Sequence, residues 1–563
     1  MLIRAAELAP GTSFEADVCI VGSGPAGLTL ARELAGARCK VILLETGDFR
    51  PHRKLKKLGE GVTFGDPYPN PRAQRTRQVG GCANRWLVDI GGGRLGARFV
   101  PLDPIDFEKR DWMPESGWPI ARTDLDPYYE RAQRHCGIGP FEQALEKLHE
   151  PGTDVIETPG LETGMFQFGP QTQWTGPNDE LLRHCPNLVT LIEATAVEVL
   201  TDATGGRVTG IKAMSSERRP IEVRASQVIL AVGCVESARL LLASRAVHAN
   251  GLGNARDVVG RYFMDHPQSY LNIFRPADRR LFDKLGVFDL KSASGMAVMA
   301  KLGLKEETLR RERLPNSCHL LFPRRDHFLS DAFQAFFSLV LDVKLKSRPH
   351  NVLGRVARMA RGWQDLAPIA LWALKGEAHY PYLSNGGWAE LKRKSELFST
   401  FEIWSMVEQL PMAGNRIALA ESKDYLGMPT VEIHWSFTDR DRDGVERMRR
   451  RIKDEIESNG LGTVDWSKDA YTSSTSVHPI GGARMGDDPA TSVVDRNLQV
   501  HGVENLDVAS SAVFPTSGYA NPTLTVVALC CRLADLVKRR AEAPVEVQSA
   551  PSSGEATPLM QVA

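Results

Sequence analysis

The sequence predicts an α/β chain, α+β overall, that opens with a dinucleotide-binding unit, and three observations carry the prediction. Residues 17–45 read as strand, glycine-rich turn, helix and strand. Between 186 and 232 the patterns are those of short strands. The last of these leads through Gly233 into a second helix, so a sheet begun at residue 17 is completed there. The chain of 563 residues is 42% hydrophobic and 25% charged, which excludes a disordered or collagenous protein. Lys+Arg 69 balance Asp+Glu 69, so bulk charge gives no reason to expect nucleic acid as a partner. No apolar run of about 18 residues occurs, so no transmembrane segment is expected.

The first element is the apolar run Asp17-Val-Cys-Ile-Val-Gly22, followed by Gly22-Ser-Gly24-Pro-Ala-Gly27, a helical pattern from Leu28 to Leu34, and a second strand, Lys40 to Glu45. Gly22 makes the tight turn, Gly24 lets a pyrophosphate approach the backbone, and Gly27 lets helix and strand pack closely. The helix start offers unpaired N–H groups to phosphates. Glu45 ends the second strand, where a carboxylate can accept hydrogen bonds from a ribose diol.

Pro51 to Thr76 is basic and rich in Pro and Gly, which reads as a surface excursion. The loop Gln78-Val-Gly80-Gly81-Cys82-Ala-Asn84-Arg-Trp86 suits a flat ring or a phosphate, with an ordinary loop as the alternative. Asp124 to Tyr129 starts an amphipathic helix. Strands follow at 188–192, 196–200, 208–212, 221–223 and 228–231, then the helix Ala238 to Ser244. Leu353 to Leu374 is amphipathic, with Arg355, Arg358 and Arg361 beside apolar residues. It reads as a helix packed on its own protein with a solvated basic side; a membrane-surface helix or a pocket cover is the alternative. Arg440 to Ile456 is a charge-dense helix.

Near the C-terminus stand His478-Pro-Ile-Gly481-Gly482 and Phe514-Pro-Thr-Ser-Gly518-Tyr-Ala-Asn521-Pro-Thr, then an apolar helix to about Val537. Pro522 reads as a first-turn residue and Asn521 as its N-cap, free either to cap or to point into a site. Taken alone, His478 reads as an ordinary satisfied histidine. Nine cysteines without a CxxC pair suggest free thiols, no metal site and, with no apolar leader at residues 1–24, a cytoplasmic protein.

The fingerprint with Glu45, the Gly80–Gly81 loop, Val259-Gly-Arg-Tyr-Phe-Met-Asp-His266-Pro and the C-terminal block together resemble the glucose–methanol–choline (GMC) oxidoreductases, in family order over nearly the whole chain. The nearest likeness is to bacterial sugar and polyol dehydrogenases and pyranose-oxidase-like members. The resemblance implies a Rossmann-like FAD domain and oxidation of a CH–OH group by a dehydrogenase or oxidase. It implies His478 and Asn521, 43 residues apart, as the catalytic pair. It also implies FAD contacts from Gly22, Gly24, Gly27, Glu45, Gly80, Gly81, Asn84, Val197, Ser511, Pro522 and Thr523. An imidazole can take the hydroxyl proton near neutral pH while the C–H bond gives up hydride. An amide such as Asn521 cannot act as base but can hydrogen-bond the developing alkoxide.

Two departures stand out. Arg85 occupies the position where pyranose-oxidase-like relatives bond a His to the flavin, so non-covalent FAD is expected. Ala509-Ser510-Ser511-Ala512 stands where many members have an Asp. The expected FAD domain comprises 12–100, 186–265 and 466–540. The expected substrate domain, 101–185 and 266–465, would place an antiparallel sheet over the flavin's reactive face, and 541–563 would form a disordered tail. The partners expected are a small-molecule alcohol and an electron acceptor (oxygen, a quinone or a redox protein) that the sequence does not identify. The competing readings are an FAD-containing lyase or photochemical relative, a non-enzymatic subunit and a colourless NAD-dependent dehydrogenase.

Overall fold

In the computed structural model, residues 1–150, 153–175, 178–293, 296–345, 351–375, 380–383, 386–467 and 476–542 are described. Val41–Leu44 is buried at all four positions, the pattern of a parallel strand covered on both faces. It hydrogen-bonds in parallel to Leu188–Ile192 on one side and to Thr12–Val21 on the other. Pro220–Leu230 pairs in parallel with Thr12–Val21, and Leu506–Val508 pairs in parallel with its last three residues. Its first half pairs instead with the antiparallel Val208–Ser215, beyond which lies Ala194–Thr201. The runs 221–223 and 228–231, separate in the sequence pattern, are thus a single strand. Leu2–Arg4 closes the far edge against Leu188–Ile192, so the first residues belong to this sheet although the expected domain began at 12.

The second sheet is antiparallel, in the order Gly462–Asp465, Gln268–Pro276, Thr400–Val407, Ser317–Arg324, Met296–Leu304, Leu161–Pro170, Leu95–Phe99 and Val88–Asp89. Leu95–Phe99, expected within the FAD domain, is hydrogen-bonded into this sheet against Leu161–Pro170. A buried ion pair, Arg110 with Glu408 at 2.7 Å, lies beneath the loop that carries Ser517 and Gly518, and Glu408 also accepts from the Gly518 N–H.

The expected surface excursion at 51–76 is built into the fold. Gly61–Gly65 forms a parallel strand with Pro429–Trp435, and Leu55 and Leu58 pack on Leu426. Helices Asp331–Leu345, Val352–Arg361 and Trp363–Leu374 lie between the strands Ser317–Arg324 and Thr400–Val407, around a small separate core of Phe328, Phe333 and Ile369. The stretch read as one helix at 353–374 is two helices packed on this small core through Ile369, Leu366 and Trp372; Ile369 is their one buried residue, and Leu353, Val356, Trp363, Leu371 and Leu374 stay exposed. The C-terminal helix Thr523–Glu542 packs on Pro25–Glu33 and Arg122–Cys136. It runs two residues into the expected tail; the remaining 543–563 lie outside the described residues.

Candidate active site

A cavity of about 530 Å³ opens where Thr12–Val21 and Pro220–Leu230 end. Gly22 leaves the first strand with φ +100°, a conformation that side chains resist. A Cβ on Gly27 would lie 1.8 Å from the Gly22 carbonyl oxygen, so only glycine lets the helix start sit against the turn. A Cβ on Gly24 would meet nothing nearer than Gly81 Cα at 4.0 Å, so that stretch of backbone is open to a ligand. Glu45 is buried and accepts from the Ser23 N–H at 3.0 Å, the Ser23 hydroxyl at 2.7 Å and the Gly47 N–H at 2.7 Å. Burial raises its pKa and these donors oppose the shift.

Three helices begin at this cavity. Their first turns contribute Pro25 and Ala26, then Cys234 and Val235 after Gly233, then Thr523 after Pro522. Unpaired N–H groups and positive dipole ends therefore converge on one space, which favours an anionic group such as a pyrophosphate. The C-terminal helix starts at Thr523, and the Pro522 carbonyl accepts its first bond from Val526 at 2.9 Å. Pro522 thus holds the capping position and Asn521 stands one residue outside, which corrects both expected placements by one. Released from capping, the Asn521 side chain turns to a set of buried polar groups.

Those groups form a chain of hydrogen bonds. Arg98 Nε donates to Asn521 Oδ1 at 2.9 Å, and Asn521 Nδ2 lies 3.1 Å from His478 Nε2. His478 Nδ1 lies 3.1 Å from His266 Nδ1, and His266 Nε2 lies 3.2 Å from the Ser517 carbonyl. Both ends have fixed polarity, because a guanidinium only donates and a carbonyl only accepts. His266 must therefore carry its proton on Nε2, His478 must donate from Nδ1, and His478 Nε2 must hold a lone pair. Burial, then the nearby His266 and Arg98, hold the His478 pKa well below the usual imidazole value, so Nε2 stays unprotonated and accepts from Asn521 Nδ2. Asp265 ties the pair at the backbone, accepting on Oδ1 from the N–H groups of His266 and His478 and on Oδ2 from the Tyr68 hydroxyl.

His478, Asn521, Gly22, Gly24, Glu45, Gly81, Ser511, Pro522 and Thr523 all line the cavity. Gly27 sits behind it in its packing role. Gly80 and Asn84 lie off its wall: Asn84 donates to the Val79 and Gly81 carbonyls and braces the loop, and Gly80 turns it with φ +88°. Val197 is likewise away from the cavity, skipped in the pairing between Glu198 and Ala196 as a bulge; Thr195 and Ala196 line the wall instead. Ser511 donates to the Pro479 carbonyl, and Ser510 accepts from Ala512 N–H.

Sequence reasoning missed Arg98, which no motif marks. It quoted His266 without linking it to His478, because the contact spans 212 residues of chain. It also missed Arg75, Arg77 and Glu236, an ion-paired group on the cavity wall. Among the described residues, Glu33, His135 and Cys531 lie close enough to hold a metal, but Arg131 and Lys538 pair with the same carboxylate. That cluster is an ion-pair network.

Two family models described as GMC oxidoreductase match residues 172–268 and 411–530. Among curated relatives, Dehydrogenase str4 of Strobilurus tenacellus is 52% identical over 95% of this chain and 96% of that one. The 2-methyl-1,2-propanediol dehydrogenase of Mycolicibacterium austroafricanum is 23% identical over 96% and 98%. Among solved structures, a fungal aryl-alcohol oxidase shares the fold with a TM-score of 0.51 at 14% identity, over 93% of this chain and 99% of that one.

Proposed function

This chain belongs to the GMC oxidoreductase family, and from that premise we propose that it oxidises a primary or secondary alcohol, such as a sugar or polyol, to a carbonyl with FAD. The observation that carries the reading is the lone pair on His478 Nε2, held by a hydrogen-bond chain inside a cavity lined by the dinucleotide fingerprint.

The residues present fit the cofactor. Gly22, Gly24 and the three helix starts would hold the pyrophosphate, and Glu45 the ribose diol. When bound, FAD supplies the hydride acceptor that no side chain provides. His478 Nε2 takes the hydroxyl proton as the C–H bond breaks. One Asn521 N–H points to His478; its second is available to the substrate oxygen as negative charge develops there. Arg98 keeps the amide from turning over. On this reading the parallel sheet carries the cofactor, and the antiparallel sheet, which contributes Arg98 and Met406, forms the substrate side.

Arg85 lines the cavity, and it stands in the sequence where pyranose-oxidase-like relatives have the flavin-bonding histidine, which supports a cofactor held without a covalent bond. Acid precipitation should then release all flavin into solution. All nine cysteines are unpaired, which supports a cytoplasmic site of action. Among the described residues no helix is long and apolar enough to cross a membrane.

The test is anaerobic bleaching of the yellow protein by a panel of sugars, polyols and other alcohols. His478→Ala should keep its colour and bleach about 100- to 10,000-fold more slowly. An unchanged rate in that variant would remove His478 as the base. Reoxidation in air, rapid or absent, separates oxidase from dehydrogenase.

A further inference from the structure

We propose that helices Val352–Arg361 and Trp363–Leu374 dock this protein in the plane of a membrane surface that carries anionic phospholipids. Of the fifteen large apolar side chains exposed among the described residues, seven fall within 336–374: Phe336, Val352, Leu353, Val356, Trp363, Leu371 and Leu374. Leu353 and Leu374 are 86% and 87% exposed, and Trp363 is 62% exposed.

Both helices leave an apolar face exposed. In the first, Leu353, Val356, Ala357 and Ala360 share a face at helical spacing, and that face is exposed. Arg355, on the opposite side, reaches inward to Asp342 at 2.5 Å. In the second, Trp363, Ala367, Ala370, Leu371 and Leu374 form one exposed stripe, while Ile369 on the other side enters the small core. The inner face of the second helix, Leu366, Ile369 and Trp372, packs on the small core, so each helix keeps one face on the protein and leaves an apolar face exposed.

Charge selects the occupant. Arg358 and Arg361 are exposed beside the first stripe and Lys375 ends the second. The one carboxylate in 351–375, Asp365, lies 3.3 Å from His327. An apolar stripe flanked by cations, with an aromatic between the helices, matches the boundary between acyl chains and anionic headgroups.

The test is co-sedimentation of the intact, FAD-loaded protein with vesicles of mixed phosphatidylglycerol and phosphatidylcholine, and with phosphatidylcholine alone. Preference for the anionic vesicles, weakened by salt, is expected. Leu353→Asp with Leu374→Asp should lower binding about tenfold or more per leucine. Arg358→Glu with Arg361→Glu should lower it about fivefold or more per arginine and abolish the salt dependence. Flavin content and bleaching rate should stay unchanged in both variants, because these side chains are exposed and outside the active site. Failure of the wild type to bind anionic vesicles, or equal binding by the aspartate variant, would overturn the proposal. So would a dimer in light scattering that the aspartate variant makes monomeric without any vesicle binding, since a second copy would then cover the face.

Discussion

Replacing His266 by Ala tests whether the hydrogen-bond chain positions the base. In the resting protein His478 donates from Nδ1 to His266 Nδ1 across 3.1 Å, a bond between two neutral rings. When His478 takes the substrate proton on Nε2, the same bond comes from an imidazolium. A neutral hydrogen bond contributes about 0.5–1.5 kcal/mol and a charged one about 1.5–3. The gain of about 1–1.5 kcal/mol is realised only as charge forms, and corresponds to about 5- to 12-fold in rate. Loss of the acceptor also lets His478 adopt the other tautomer, with Nε2 protonated and unable to act; an even split costs a further factor of about two. The expected result in stopped-flow anaerobic bleaching is a rate about 10- to 25-fold lower, with flavin content retained because His266 lies off the cavity wall. A wild-type rate would show that the chain does not position His478. A rate as low as that of His478→Ala, with flavin retained, would show that His266 touches the reacting proton itself.

Arg98→Met removes the donor that fixes the Asn521 amide, and bleaching should slow about 10- to 100-fold, with Arg98→Lys recovering part of the loss. Because a neighbouring positive charge also leaves, the acid limb of its pH profile should move to higher pH; an unmoved limb would argue against the contact. Gly27→Ala forces a Cβ into the Gly22 carbonyl, and the protein should purify colourless; a yellow variant would contradict the packing. In the wild type, the depressed His478 pKa keeps the imidazole neutral, so the bleaching rate should be flat from about pH 6 to 8. A rate already halved near pH 6.5 would indicate an ordinary imidazole. His266 and His319, pushed down by burial to about 4 and about 3, stay neutral in the fold but protonate once unfolded. Their contribution is intact above about pH 6.5 and is lost as pH falls toward those values, at up to about 1.4 kcal/mol per group per pH unit. Urea unfolding of His319→Asn should show a shallower decline over that window; an equally steep one would remove His319 from the account.

The parallel sheet was legible because each of its signals is local. A four-residue apolar run, a glycine turn and the helix after it lie within one stretch of chain, and the 3.6- and 2-residue periods report them directly. Even the small errors there have local causes: the runs on either side of Ala225 read as two strands because the buried positions between them are Ala225 and Gln227, which carry little apolar signal. The strand Gly61–Gly65 within the surface stretch 51–76 escaped because its partner is Pro429–Trp435, and no local pattern encodes a parallel partner so far away. The outward leucines of 353–374 escaped for a related reason: periodicity shows that a helix has two faces and not which one the rest of the chain covers.

The same division runs through the candidate site. Glycines reveal themselves in sequence because a turn or close approach excludes other residues, and His478 and Asn521 stand out through their motif. What they could do was decided by contacts between distant segments. Arg98 lies 423 residues from Asn521, and His266 lies 212 from His478. The sequence by itself determined the glycine turn with its carboxylate and singled out His478 and Asn521. Only the tertiary structure decided which His478 nitrogen is unprotonated, because a tautomer is set by the donor-only guanidinium and acceptor-only carbonyl at the two ends of a chain that folding alone assembles.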